Sequence, residues 1–234
     1  NYDKAIESHR AAIELAMKCK NFEQVAKSWS KLATLYVESG NPIASTEALK
    51  NQVLALHKTN DSTALSSAYN DLAASYLKAK DYNNSFNSYS QAIAIRRAQK
   101  DSVNWVLSMY DLAGAYQNKN EYGKAEKLYS ETLVLQRKMK DKYNQAYTLA
   151  NLGLLSQAAD NDYKKANSYY QEAIRLGTEL KDDNILAFCY MRMKGLNRAQ
   201  GNFKAAEEYI IKALGLYTKI NEPKNIAYTL VEMG

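Results

Sequence analysis

The chain of 234 residues carries 31 basic and 25 acidic side chains, interspersed without a run of like charge, for a formal net charge of +6. A nucleic-acid surface would show a basic stripe, so this balance serves solubility and excludes nucleic acid as the expected partner. No run of about 18 apolar residues is present to span a membrane, so no membrane contact is expected from this segment. Two prolines and nine glycines suit a helical protein.

Apolar spacing predicts a lone helix over 1–19, with Ile6, Ile13 and Leu15 as its stripe. Helix pairs follow over 21–58, 61–99, 101–139, 141–180 and 182–220, then a partial helix over 222–234. Asn21, Asp61, Asp101, Asp141 and Asp182 stand where first helices begin, with Glu222 last. Asn and Asp cap such ends because the side chain accepts a backbone N–H that has no partner within the helix. Gly40-Asn41-Pro42 and Gly201-Asn202 read as turns. Pro42 and Pro223 fall at first helical positions, where the missing N–H costs nothing. The chain opens without methionine in a second helix and stops inside a first one, so a piece of a longer protein is expected.

The pairs repeat about every 40 residues. Second helices open with Tyr2, Pro42, Tyr82, Tyr122, Tyr163 and Phe203. A small residue follows at Ala5, Ser45, Ser85, Ala125, Ala166 and Ala206. A larger one then comes at His9, Leu49, Tyr89, Tyr129, Tyr170 and Ile210. First helices share Leu32-Ala33, Leu72-Ala73, Leu112-Ala113, Leu152-Gly153, Met193-Lys194 and Met233-Gly234. One extra residue enters at Asp160-Asn161-Asp162, where a loop is expected to absorb it. The chain's 19 tyrosines fall mostly at repeat positions, with hydroxyls expected to reach water. The pairs Arg96-Arg97 and Arg137-Lys138 are expected to oppose the negative ends of helix dipoles.

A period of this size marks a repeat array. The alternation of large and small residues in helix pairs resembles the tetratricopeptide repeat, in a form longer than the usual repeat of about 34 residues. Long repeats of this kind resemble those of kinesin light chain, of bacterial peptide-receptor regulators and of some two-component sensors. The resemblance implies an all-α, right-handed superhelical solenoid of stacked antiparallel helix pairs, running as one domain over 1–234. It implies that first helices line a concave groove, that the partner is a protein or peptide, and that the segment senses or docks within a larger regulatory protein.

Chemistry of other kinds is not signalled. His9 and His57 occupy different repeat positions, and no cysteine or carboxylate completes a zinc spacing beside them. Cys19 and Cys189 lie in different repeats and are not expected to pair. No glycine-rich phosphate loop or nucleophile elbow occurs. The chain is therefore read as a non-enzyme without cofactor or metal.

The groove position before each Leu-Ala pair carries Lys31, Asp71, Asp111, Asn151, Arg192 and Glu232. With its neighbours it predicts a peptide-binding surface of Asn70, Asp71, Tyr110, Asp111, Gln117, Tyr147, Asn151, Gln157, Phe188, Arg192 and Arg198. Where some members of the resembled family grip a C-terminal carboxylate, this chain has Ser30, Asn70, Asp71 and Asp111, and two aspartates would repel one. An alternative use is self-assembly as a homo-oligomer through end repeats exposing Ile6, Ile13 and Leu230.

Overall fold

The computed structural model describes residues 2–233, with residue 160 described by its backbone alone. Gly234, the last member of the Leu-Ala column, lies outside the described residues. Those residues form 12 α-helices and no strand: α1 (Tyr2–Lys18), α2 (Phe22–Glu38), α3 (Pro42–Leu56), α4 (Ser62–Lys78), α5 (Tyr82–Ala98), α6 (Ser102–Asn118), α7 (Tyr122–Lys138), α8 (Lys142–Asp160), α9 (Tyr163–Leu180), α10 (Asp183–Ala199), α11 (Phe203–Lys219) and α12 (Pro223–Val231). The chain divides into two compact units, one ending at Lys119 and the other starting at Asn120. In the first unit α2 packs on α3 and α4 on α5, while α1, α3 and α5 each cover the first helix that follows. In the second unit the hairpins are α8 with α9 and α10 with α11, flanked by α7 and α12. This is an all-α solenoid of stacked helix hairpins.

The connections share one backbone device. A single residue in the left-handed region recurs between helices, at twenty-residue steps save that position 60 is skipped and one step is twenty-one: Lys20, Gly40, Lys80, Lys100, Asn120 and Lys140, then Asn161, Lys181, Gly201 and Asn221. The next residue donates its N–H back into the finished helix, as in Asp81 N to Tyr76 O at 2.9 Å and Asp141 N to Gln136 O at 3.0 Å. This satisfies a terminal carbonyl that has no partner within the helix. At eight turns an Asn or Asp also caps the helix ahead. Asn21, Asp61, Asp101, Asp141 and Asp182 do so as expected, and Asn41, Asp81 and Asp162 do it for second helices.

The loop expected to take up the extra residue does not lengthen. Helix α8 takes it instead, reaching 19 residues against 17 in α6. Its last turn widens, so that the N–H groups of Asn161 and Asp162 both point to Ser156 O.

Repeat columns become core layers. Ser45 Oγ and Ser85 Oγ donate to the carbonyls of Ala33 and Ala73, each at 2.9 Å, so the small column permits close helix approach and supplies a bond. The expectation that tyrosine hydroxyls reach water fails at Tyr89, Tyr129 and Tyr170, which are buried. The Tyr170 ring occupies the space beside Gly153, where an added Cβ would lie 2.5 Å from Cε1. A column of small buried residues, Ser28, Ala68, Ser108, Thr148, Cys189 and Thr229, runs through the first helices. Cys189 is free there, and burial pushes its thiol up to about 12. Cys19 is free and exposed.

The first end is also corrected. Ile13 is buried and Ile6 packs against the same cluster, because both turn toward α2. Tyr2, Leu15 and Met17 are the large apolar residues that α1 exposes, with Tyr228, Leu230 and Val231 on α12. Charged residues at Ile6 and Ile13 would therefore break the core rather than a self-association surface.

Candidate functional site

In the first unit the first-helix face is organised by a buried guanidinium. Arg96, near the end of α5, is 7% exposed. Its Nη1 donates to Ser108 Oγ, to Asn104 O at 3.1 Å and to Asn70 Oδ1 at 3.4 Å, and its Nε to Ser66 Oγ at 3.4 Å. Asn70 Nδ2 then donates to Asp111 Oδ2 at 3.1 Å, and Ser108 Oγ to Asn70 Oδ1 at 2.9 Å. Helices α4, α5 and α6 are thus tied by one polar network. Arg96 stands in the last turn of α5 as expected, but buried: its repeat position is filled elsewhere by Leu56, Gln136, Gly177 and Tyr217, all buried. Arg97 is the exposed member of that pair, with its guanidinium 5.6 Å from the Trp105 ring centroid.

The electrostatics follow from this packing. Burial raises the Asp111 carboxyl above its ordinary value, against the Asn70 hydrogen bond and the Arg96 charge. Asp71 keeps exposed surface, yet crowding of its carboxyl by protein also raises it, with Arg96 pulling the other way. Burial, and then Asp111 and Asp71, raise the Tyr89 hydroxyl.

In the second unit the same face is aromatic. Tyr143 and Tyr147 lie edge-on at 5.3 Å on α8, and Tyr147 meets Phe188 of α10 at 5.2 Å. The Arg192 guanidinium stands over the Phe188 ring at 4.7 Å from its centroid. A cation over an aromatic face is attracted by the ring quadrupole. Arg192 Nε is buried with no hydrogen-bond partner, as is the Tyr170 hydroxyl.

The expected site residues therefore fall into two groups. Asn70, Asp71 and Asp111 gather around Arg96, and Tyr110 is half-buried on α6 beside Asp111. Tyr147, Phe188 and Arg192 gather in the second unit. Asn151 is buried, Gln117 and Gln157 are half-buried, and Arg198 is exposed. No hydrogen bond or ring contact joins Gln157 or Arg198 to the aromatic group among the described residues. His57 bonds Tyr69 across 2.7 Å, and no cluster of three metal-ligating side chains occurs among the described residues. No helix there is long and apolar enough to cross a membrane.

Sequence reasoning missed a pocket of about 670 Å3 at the joint of α2, α3 and α4. Asp71 lies in its wall beside Val37, Ile43, Leu49, Ala74 and Lys78. The signal available was the neighbourhood of the exposed apolar residues Val37 and Ile43 around the Gly40 turn.

Residues 102–179 and 66–99 match family models described as the tetratricopeptide repeat. No match was found among curated proteins. Among solved structures, BtubC (BKLC) from P. vanneervenii is similar with a TM-score of 0.75 and 18% identity, over 95% of this chain and 93% of that one. A Signal Transduction ATPase with Numerous Domains (STAND) protein with a tetratricopeptide repeat sensor, from Pyrococcus horikoshii, is similar with a TM-score of 0.72 and 19% identity. The match covers 96% of this chain and 34% of that protein. The apo form of RapI gives a TM-score of 0.70 at 16% identity, over 96% of this chain and 67% of that one.

Proposed function

The chain belongs to the tetratricopeptide-repeat family, and from that premise we propose that it is a protein-binding scaffold whose first helices receive an extended segment of a partner. The observation that carries this reading is the Tyr147–Phe188–Arg192 group. Rings and a guanidinium at successive repeat positions lie half-buried on first helices, above an already complete core. Aromatic and arginine side chains so placed are the usual anchors of an interface. Half-buried rings are also held in place before binding, which reduces the entropy lost on docking. The docking role within a larger regulatory protein follows by analogy with the STAND protein, where a tetratricopeptide repeat serves as the sensor.

Photo-crosslinking tests the reading. Benzoylphenylalanine is placed at Tyr147 or at Ile211, an exposed position on second helix α11, and the chain is irradiated in cells of its source. The expected result is discrete protein adducts from position 147 alone, lost on Phe188→Ala with Arg192→Ala. Equal adducts from both positions, or none from position 147, would reject the first-helix face as the binding surface.

A further inference from the structure

The repeat register places two pockets, one in each unit, at the same point of the repeat. Val37, Pro42, Leu49 and Asp71 hold the positions of Arg198, Phe203, Ile210 and Glu232. In the second unit a pocket of about 370 Å3 is bounded by these later residues and by Lys194. Lys194 is 7% exposed, and its Nζ is bonded to Glu232 Oε2. The chain there supplies its own cation to the carboxylate. The Lys194 pairing, first among the causes, also holds the Glu232 carboxyl below its ordinary value.

The first unit lacks that cation. Ala33 stands at the position of Lys194. The pocket is larger, about 670 Å3, and its apolar wall is open, with Val37 56% and Ile43 83% exposed. Asp71 has no hydrogen bond or ion pair among the described residues. Lys78 lines the same pocket without pairing to it. The hydrogen bonds of Arg96, the buried cation nearby, go to Ser66, Asn70, Asn104 and Ser108. A carboxylate at the wall of an apolar pocket, with no hydrogen bond or ion pair of its own, favours a cation from outside.

We propose that the pocket between α2, α3 and α4 binds a lysine or arginine of a partner's extended segment on Asp71, with a neighbouring aliphatic side chain seated on Val37, Ile43 and Leu49. The ligand's cation takes the place that Lys194 Nζ fills on Glu232 in the second unit. This rests on the scaffold reading above and adds the chemistry of the segment.

The test uses the whole chain, with methyl groups labelled for NMR. Three synthetic hexapeptides, alike except for a central leucine–arginine, leucine–citrulline or leucine–glutamate pair, are titrated to about 10 mM, a range that reaches weak complexes. The arginine peptide is expected to shift the Val37 and Ile43 methyls saturably, to bind roughly tenfold more tightly than the citrulline peptide, and to outcompete the glutamate peptide. Asp71→Asn should abolish the preference for arginine over citrulline without lowering Tm. Ala33→Lys, which installs the cation of the later repeat, should block the arginine peptide. If that buried substitution prevents folding, Asp71→Asn decides alone.

Equal binding of the arginine and citrulline peptides, an unaffected preference in Asp71→Asn, or no methyl shift at the highest concentration would overturn the proposal. So would sedimentation showing that a second copy of the chain covers Ile43. Adducts at position 147 together with any of these outcomes would leave the scaffold reading standing and remove only this pocket.

Discussion

Arg96 occupies a core position and keeps its charge because every helix around it offers an acceptor. Its column across the repeats, with Leu56 before it and Gln136 after it, was visible in the sequence. Its burial was not, since an arginine near a helix end is ordinarily solvated and steadies the dipole from outside. The aspartates of the network carry the consequence for pH. Burial raises Asp111, so the folded chain holds that proton more tightly than the unfolded chain does. The ionised group therefore costs stability, a cost absent below the ordinary carboxylate range and fully present once pH exceeds the raised value. Asp111→Asn leaves an oxygen to accept from Asn70 Nδ2. It is expected to raise Tm at about pH 7 and to change it little at about pH 3, where both states are already neutral. Circular-dichroism melts check this. A lower Tm at neutral pH would show that attraction to Arg96 outweighs desolvation.

Helices and turns were the most legible level. Asp and Asn before five of the six first helices, glycine after α2 and α10, and proline at the start of α3 and α12 each state a backbone requirement directly. Left-handed lysines were not legible, because nothing in a lysine demands that conformation. Here the bond from the next residue back into the finished helix imposes it, as at Asp81 and Asp101. A side chain with a Cβ costs roughly 1 kcal/mol or more in that region. Lys80→Gly and Lys100→Gly are each expected to stabilise the chain by about 0.5 kcal/mol, the gain being reduced by the wider freedom of glycine when unfolded. Urea denaturation measures the sum. Destabilisation by both would mean that each lysine's charge at the helix C-terminus contributes more than the backbone strain costs.

For the whole molecule, the period of the sequence was enough to expect stacked hairpins, because each hairpin leaves an apolar face that only a neighbour can cover. The pocket at Asp71 was beyond reach at that level. Its apolar wall, Val37 and Ile43 beside the Gly40 turn, was the one hint of it, and such residues form no motif. Neighbour-only packing also predicts how damage spreads. Gly153→Ala drives a Cβ into the Tyr170 ring and is expected to cost about 1–3 kcal/mol. Hydrogen exchange should rise in α8 and α9 while α2 and α3 keep their protection. Uniform loss of protection along the chain would show a single cooperative unit instead.

The widened end of α8 has a consequence for phase. One residue inserted within a regular helix turns everything beyond it by about 100° around the axis. Because the two N–H groups of Asn161 and Asp162 share the Ser156 carbonyl, that rotation is spent in the final turn. The left-handed residues then resume their twenty-residue beat at Asn161, Lys181, Gly201 and Asn221. An odd insertion can thus be carried by the array as a local stutter, with Tyr170 still delivered to its place against Gly153.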